Sequence, residues 1–209
     1  MDIAIVGLSL RLPNDINNLE DLYNRLKNKI DCITEHPDDR FHKESYYDEE
    51  NSIGKMNTKR AGYLNDVYDF DNSFFKVSNK EARTTDPQQR IMLELVYEAL
   101  QNSRISLDEC KNSNTGVYMG SCNTEYFSKQ IEDAEWCNEY SLPGGLLTLL
   151  SNRISYFYDF KGPSMTLDTA CSSSGHALHL ACQSLTSGET DMCIVGGSNL
   201  LLNPETTVG

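Results

Sequence analysis

The sequence predicts an α/β fold with a mainly buried sheet, and three observations predict it. Short apolar runs that end in glycine recur along the chain, at Ile3 to Gly7, Gly116 to Gly120 and Met192 to Gly197. Segments with helical periodicity and helix-start chemistry lie between them. Residues 162–209 contain no Lys or Arg and are rich in Ala, Gly, Ser, Cys and Leu, a composition that predicts burial. Strands alternating with helices imply helices packed on a sheet.

Taken in order, Ile3 to Val6 is expected to form a short buried strand closed by Gly7. Leu19, Leu22 and Leu26 recur at i, i+3 and i+7, the stripe of an amphipathic helix. Residues 31–50 hold eight acids (Asp31, Glu35, Asp38, Asp39, Glu44, Asp48, Glu49, Glu50) against Arg40 and Lys43, which predicts a solvated loop with His36 and His42 on its surface. Ser78 and Glu81 have the spacing of a capping box. Asp86 followed by Pro87 supplies an N-cap and a proline at the first helical position. A helix from Pro87 to about Asn102 should follow, with Ile91, Leu95 and Val96 on one face. Asp86 and Arg90, four residues apart, are expected to pair at the surface or as a cap. Residues 116–120 predict a second buried strand. Trp136 and Tyr156 to Tyr158 are expected in the core, and Asn152 and Arg153 in structural hydrogen bonds. Thr166 to Thr169 should lead through a turn into a helix near Cys171 to Leu185, and Met192 to Val195 should be the third strand. There is no internal repeat.

The 209 residues carry 31 acidic and 18 basic side chains, a formal charge of −13. That excludes a generic nucleic-acid binder, which needs a basic face to displace counterions, and disfavours anionic membranes. No stretch approaches the roughly 20 apolar residues that cross a bilayer. The seven cysteines, at 32, 110, 122, 137, 171, 182 and 193, are odd in number and include no C-x-x-C pair. They predict a reducing compartment with neither a disulfide framework nor a zinc site. With no basic leader before Ile3, a cytoplasmic protein is expected. No phosphate-binding glycine loop or metal cluster is visible, so no directly bound cofactor is expected.

One segment carries chemistry: Asp168-Thr169-Ala170-Cys171-Ser172-Ser173-Ser174. A cysteine between a strand and a helix start lies where free N–H groups and the helix dipole favour a thiolate. Small neighbours would let a thioester approach, and the Cys171 N–H could stabilise a tetrahedral oxyanion. The same pattern also suits a small buried hydrophobe, the simpler account of the other six cysteines. His176 and His179 lie in the same helix, roughly 7.5 and 12 Å along its axis and about 140° and 80° around it, out of reach of the sulfur. An unrelated cysteine hydrolase is poorly supported, since there is no G-x-S-x-G elbow and no reachable histidine.

The segment closely resembles the active-site motif of β-ketoacyl synthases, specifically the ketosynthase domains of polyketide synthases and animal-type fatty acid synthases. Other stretches match in order: Asp2 to Gly7, Asp86-Pro87-Gln88-Gln89-Arg90, Asn152 to Phe157, Gly162-Pro163-Ser164, His179 to Leu185, Gly188-Glu189 and Gly196 through Thr206. Thiolases and chalcone-type synthases share the nucleophilic cysteine but match these motifs less closely. The resemblance implies a thiolase-like fold of α-β-α-β-α layers and a homodimer of complete domains. It makes Cys171 the catalytic nucleophile, acylated from the phosphopantetheine arm of an acyl carrier protein. It further implies that two histidines and a lysine from a second half assist decarboxylative condensation with a malonyl-type extender. Residues 1–209 are thus expected to be a truncated N-terminal half with the C-terminal half absent. Condensation is expected to be lost, and a non-catalytic remnant or decoy that pairs with intact synthases is the alternative. Three residues depart from the pattern: Gly175 and His176 stand where it has aliphatic residues in a packed region, and Lys76 stands where glycine is usual.

Overall fold

The computed structural model describes residues 2–50 and 52–208. The chain forms two compact units, a smaller one from residues 9–69 and 200 onward and a larger one from residues up to 8 and 70–199.

In the smaller unit, α1 (Leu19–Lys27) starts at Asn18, whose Oδ1 accepts from Asp21 N at 2.9 Å. Glu20 and Asp21 at its start and Arg25 and Lys27 at its end complement the helix dipole. The leucine stripe forms as expected, yet no residue of α1 is buried. Two short strands, β1 (Thr34–Glu35) and β2 (Arg60–Ala61), pair antiparallel. Ile16, Met56, Tyr63 and Val67 are buried. The acidic loop is mostly exposed, but the expectation of a surface His36 is overturned: its exposure is 3%, with edge-on contacts to Phe41 and Tyr63. Burial, and then the Lys43 and Arg40 charges, push its pKa down. His42 is exposed as expected.

The larger unit runs α2 (Asn79–Thr84), α3 (Pro87–Ser103), α4 (Leu107–Cys110), β3 (Thr115–Gly120), α5 (Glu125–Ile131), α6 (Ser141–Gly145), α7 (Thr148–Tyr158), β4 (Ser164–Leu167), α8 (Ser173–Ser187) and β5 (Met192–Gly197). The chain then returns to the smaller unit with α9 (Glu205–Val208). The three longer strands form a parallel sheet in the order β4-β3-β5, with Gly120 opposite both Leu167 and Gly197. Alternation along the fully buried β3 builds a layer on each face. Val117 and Met119 pack with Met92, Leu93, Val96, Leu150, Ile154 and Tyr158 of α3 and α7. Tyr118 packs on the other face with Ala177 and Ala181 of α8.

Four expectations need correction. Ile3 to Val6 is not a strand: Ile5 is 82% exposed, and among the described residues no strand supplies the backbone partners that a ladder needs. The segment instead meets α3, where Leu8 N donates to Asn102 Oδ1 and a Cβ on Gly7 would lie 2.3 Å from Ala99 O. Residues 162–209 are not uniformly buried; β4 and β5 are half-buried because each is paired on one edge only among the described residues. Trp136 and Tyr156 are exposed, while Tyr158 is core and donates from its hydroxyl to Leu93 O at 2.8 Å. Asp86 and Arg90 are buried, which removes the surface pair and leaves the capping role, taken by Asp86.

The helix-start chemistry is otherwise as expected. Ser78 Oγ accepts from Glu81 N at 3.1 Å, but the Glu81 carboxylate does not close a capping box; it takes Arg153 Nη1 at 2.6 Å. Arg153 Nε also donates to Gln89 Oε1, tying α7 to α2 and α3. Lys76 has φ of +56°, a left-handed conformation that costs a side-chain-bearing residue roughly 1–2 kcal/mol and a glycine nothing. Lys76→Gly should therefore raise unfolding free energy by up to about 1 kcal/mol in urea titration, after the entropy glycine adds to the unfolded chain. Unchanged or reduced stability would mean that the strain is relieved locally.

Candidate active site

The carboxyl ends of β4, β3 and β5 carry the site. After Leu167 the chain makes a tight turn held by its own side chains. Asp168 Oδ1 accepts from Ala170 N at 3.0 Å. Ser173 Oγ accepts from Thr169 N at 2.9 Å and donates to Ala170 O at 2.6 Å. Ser172 Oγ donates to Thr169 O at 2.8 Å and Thr169 Oγ1 at 2.9 Å. Ala170, with φ of +52°, holds strained backbone immediately before Cys171. The cysteine is exposed and stands two residues ahead of the 15-residue α8. Its sulfur is thus offered to solvent just outside the strand ends, the usual ligand position in parallel α/β sheets.

Two glycines seat the helix there. A Cβ on Gly120 would fall 2.4 Å from Ser174 N and 2.5 Å from Ser173 C, and one on Gly197 would fall 2.8 Å from Ser174 Cβ. Only bare backbone at the ends of β3 and β5 lets the first turn of α8 come so close.

Beneath the strand ends lies a buried polar floor whose bonds sequence reasoning missed. Gln88 Nε2 donates to Asp86 Oδ2 and Asn123 O, while its Oε1 accepts from Ser121 Oγ at 3.3 Å and Ser198 Oγ at 3.0 Å. One amide therefore joins the start of α3 to the segments that follow β3 and β5. Asp86 Oδ1 accepts from Gln88 N at 2.8 Å as the N-cap of α3. Burial pushes the Asp86 carboxyl up to about 6, against the opposing pull of its bonds to Gln88 and the charge of Arg90. The Asp-Pro-Gln-Gln-Arg run was the available signal.

The expectation that His176 occupies a packed region is overturned: Gly175 and His176 are exposed, and a Cβ on Gly175 would meet nothing within 4 Å. His176 Nδ1 lies 3.3 Å from both Thr169 Oγ1 and Ser172 O, so its ring leans on the turn. Among the other cysteines, burial pushes the Cys110 and Cys193 thiols up, which disfavours their thiolates. Cys122 and Cys137 are exposed, and Cys32 and Cys182 are intermediate. Among the described residues no cluster of His, Cys, Asp and Glu is arranged to hold a metal ion, and no helix is long and apolar enough to cross a membrane.

A parallel sheet between helical layers, with an exposed cysteine on a tight turn at its carboxyl end, places the protein in the thiolase-like class. The chain belongs to the β-ketoacyl synthase family: the family model described as the N-terminal domain of beta-ketoacyl synthase matches residues 1–209. It is 43% identical over 202 residues to Polyketide synthase 37 of Dictyostelium discoideum, covering 97% of this chain and 7% of that protein. It is 42% identical over 204 residues to a partially reducing polyketide synthase of Talaromyces stipitatus, covering 97% of this chain and 8% of that one. Among solved structures, an oxazolomycin ketosynthase domain from Streptomyces albus superposes with a TM-score of 0.91 at 36% identity, over 98% of this chain and 36% of its own. The ketosynthase from module 6 of the bacillaene synthase of Bacillus subtilis gives 0.81 at 34% identity, over 97% of this chain and 32% of its own. The chain thus spans about a third of the length of the solved ketosynthases it matches, and its likeness is to ketosynthases of polyketide-synthase type.

Proposed function

We propose that Cys171 accepts an acyl group from the phosphopantetheine arm of an acyl carrier protein. The observation that carries this is an exposed thiol held on a self-bonded turn at the head of α8. The thiolate attacks the thioester carbonyl, and a backbone N–H of the turn supports the oxyanion. Collapse breaks the bond to the pantetheine sulfur, which leaves as a thiolate and takes a proton from solvent. This step needs no histidine, because the leaving thiolate is itself stable in water.

Carbon–carbon bond formation is a different demand. Decarboxylating a malonyl-type extender requires stabilisation of a carbanion, which the family resemblance assigns to two histidines and a lysine of a second half. The four histidines in these 209 residues are His36, His42, His176 and His179. The first is buried in the smaller unit, and the last two lie on α8, which begins two residues after the nucleophile. We therefore assign residues 1–209 the role of N-terminal half of a ketosynthase domain, with condensation and homodimer formation belonging to the complete domain.

The test is acylation of the purified chain by short acyl thioesters, followed by intact mass, with Cys171→Ala in parallel. A single acyl increment absent from the variant is expected, and no ketide product when malonyl carrier protein is added. Equal labelling of both proteins would overturn the assignment of Cys171, and ketide formation would overturn the limit to acyl transfer. A second reading, a non-catalytic chain that pairs with intact synthases, is favoured by the exposed Ile5 and Val6, at 82% and 60%. A sharp thermal transition from a soluble monomer would count against it.

A further inference from the structure

Both ends of the turn that carries Cys171 trace back to one atom, the side-chain oxygen of Gln88. The entry is held through the end of β3. Ser121 Oγ donates to Gln88 Oε1 at 3.3 Å, and Ser121 N donates at 3.1 Å to the carbonyl of Leu167, the last residue of β4. The exit is held through the end of β5. Ser198 Oγ donates to the same Oε1 at 3.0 Å, and Ser198 N donates to Gly120 O at 3.0 Å. Gly120 in turn seats the start of α8, since a Cβ there would lie 2.5 Å from Ser173 C and 2.4 Å from Ser174 N. Cys171 stands between these two holds.

The amide that anchors both routes is itself fixed. Gln88 is 3% exposed, and its Nε2 donates to Asn123 O at 3.1 Å and Asp86 Oδ2 at 3.3 Å. Both donors and both acceptor positions of the amide are thus used. Turning it over would set Oε1 against two other oxygens, so its acceptor end stays toward the serines. Its backbone lies in the first turn of the 17-residue α3, capped by Asp86.

We propose that Gln88 is a positioning residue for acyl transfer to Cys171, fixing both ends of the nucleophile's turn from the α3 side of the sheet. The proposal rests on the acyl-acceptor role of Cys171 and adds the group that sets where the sulfur meets the thioester carbonyl. Gln88 acts through Ser121 and Ser198, and no bond at its amide is made or broken in the reaction. Attack needs the sulfur about 3–3.5 Å from the carbonyl carbon, and a misplacement of about 1 Å can cost on the order of 100-fold. Releasing one end of the turn leaves thioester binding intact and spoils the approach.

The experiment uses the full chain with Ser121→Ala and Ser198→Ala, each removing one hold, and Gln88→Met, which removes both. Tyr158→Phe is the control for stability alone, because it deletes a buried hydrogen bond to Leu93 O in the layer between α3 and α7. Acylation by increasing concentrations of a short acyl N-acetylcysteamine thioester is followed by intact mass, and unfolding by urea. Each serine variant should lower the saturating rate about 3–10-fold at an unchanged half-saturating concentration, and Gln88→Met at least about tenfold. Tyr158→Phe should unfold at lower urea yet acylate at the wild-type rate. Hydrogen exchange of the Thr169 and Ala170 amides should quicken at least about threefold in the serine variants and not in Tyr158→Phe. Serine variants that acylate as wild type does, or a Tyr158→Phe that slows as much as they do, would overturn the proposal. Quickened exchange in a chain that the thioester never acylates would support the two holds and remove the acyl-acceptor role.

Discussion

Gly120→Ala should slow acylation of Cys171 by about 10–100-fold and cost about 1–3 kcal/mol of stability. The added methyl would sit 2.4 Å from Ser174 N and 2.8 Å from Ser174 Cα. These are backbone atoms of the first turn of α8, which no side-chain rotation can clear. The helix start has to shift, and the turn bearing Cys171 is bonded to it through Ser173 Oγ. Gly175→Ala is the matched control. Its methyl would meet nothing within 4 Å, and replacing a helical glycine should gain about 1 kcal/mol without changing the acylation rate. Acylation of Gly120→Ala at the wild-type rate would show that the close approach of β3 to α8 does not position the nucleophile.

The second large effect is a pH dependence removed by Asp86→Asn. The Asp86 pKa is raised from 3.8 to about 6 in the folded protein, chiefly by burial. Between those values the folded state binds more protons than the unfolded one, so this group's contribution to stability falls as pH rises through that window. Above about pH 6 the full penalty applies, on the order of 3 kcal/mol at 1.36 kcal/mol per unit. Asparagine keeps an oxygen to cap Gln88 N but cannot ionise. Relative to wild type, Asp86→Asn should gain stability from about pH 4 to about pH 7, as read by urea denaturation at both ends. His36, whose pKa is lowered, contributes the opposite slope in both proteins and cancels in the difference. A difference that does not change with pH would mean that Asp86 is ionised without penalty.

What the sequence disclosed follows from how locally each feature is determined. The strand Thr115–Gly120 and the capped start of α3 at Asp86-Pro87 depend on neighbouring residues, and both appear where expected. The turn around Cys171 is equally local, because Asp168, Thr169, Ser172 and Ser173 bond to one another. Ile3 to Val6 failed because an apolar run becomes a strand only beside another strand. His36 failed for the converse reason: its acidic surroundings in sequence concealed the contacts with Phe41 and Tyr63. The floor made by Gln88 was hidden because its partners, Ser121 and Ser198, stand 33 and 110 residues away. Spacing carries no trace of such pairs. Lys76 disclosed its left-handed backbone only as a departure from a glycine in the family pattern.

The most direct measurement is where an acyl group resides after the chain meets an acyl thioester. Residues 162–209 contain no Lys or Arg, so trypsin leaves Cys171, Cys182 and Cys193 together and fragment ions must separate them. The acyl group is expected on Cys171 alone, with Cys122 and Cys137 unmodified despite their exposure. Acyl groups spread evenly over Cys122, Cys137 and Cys171 would contradict a nucleophile set apart by its turn and helix.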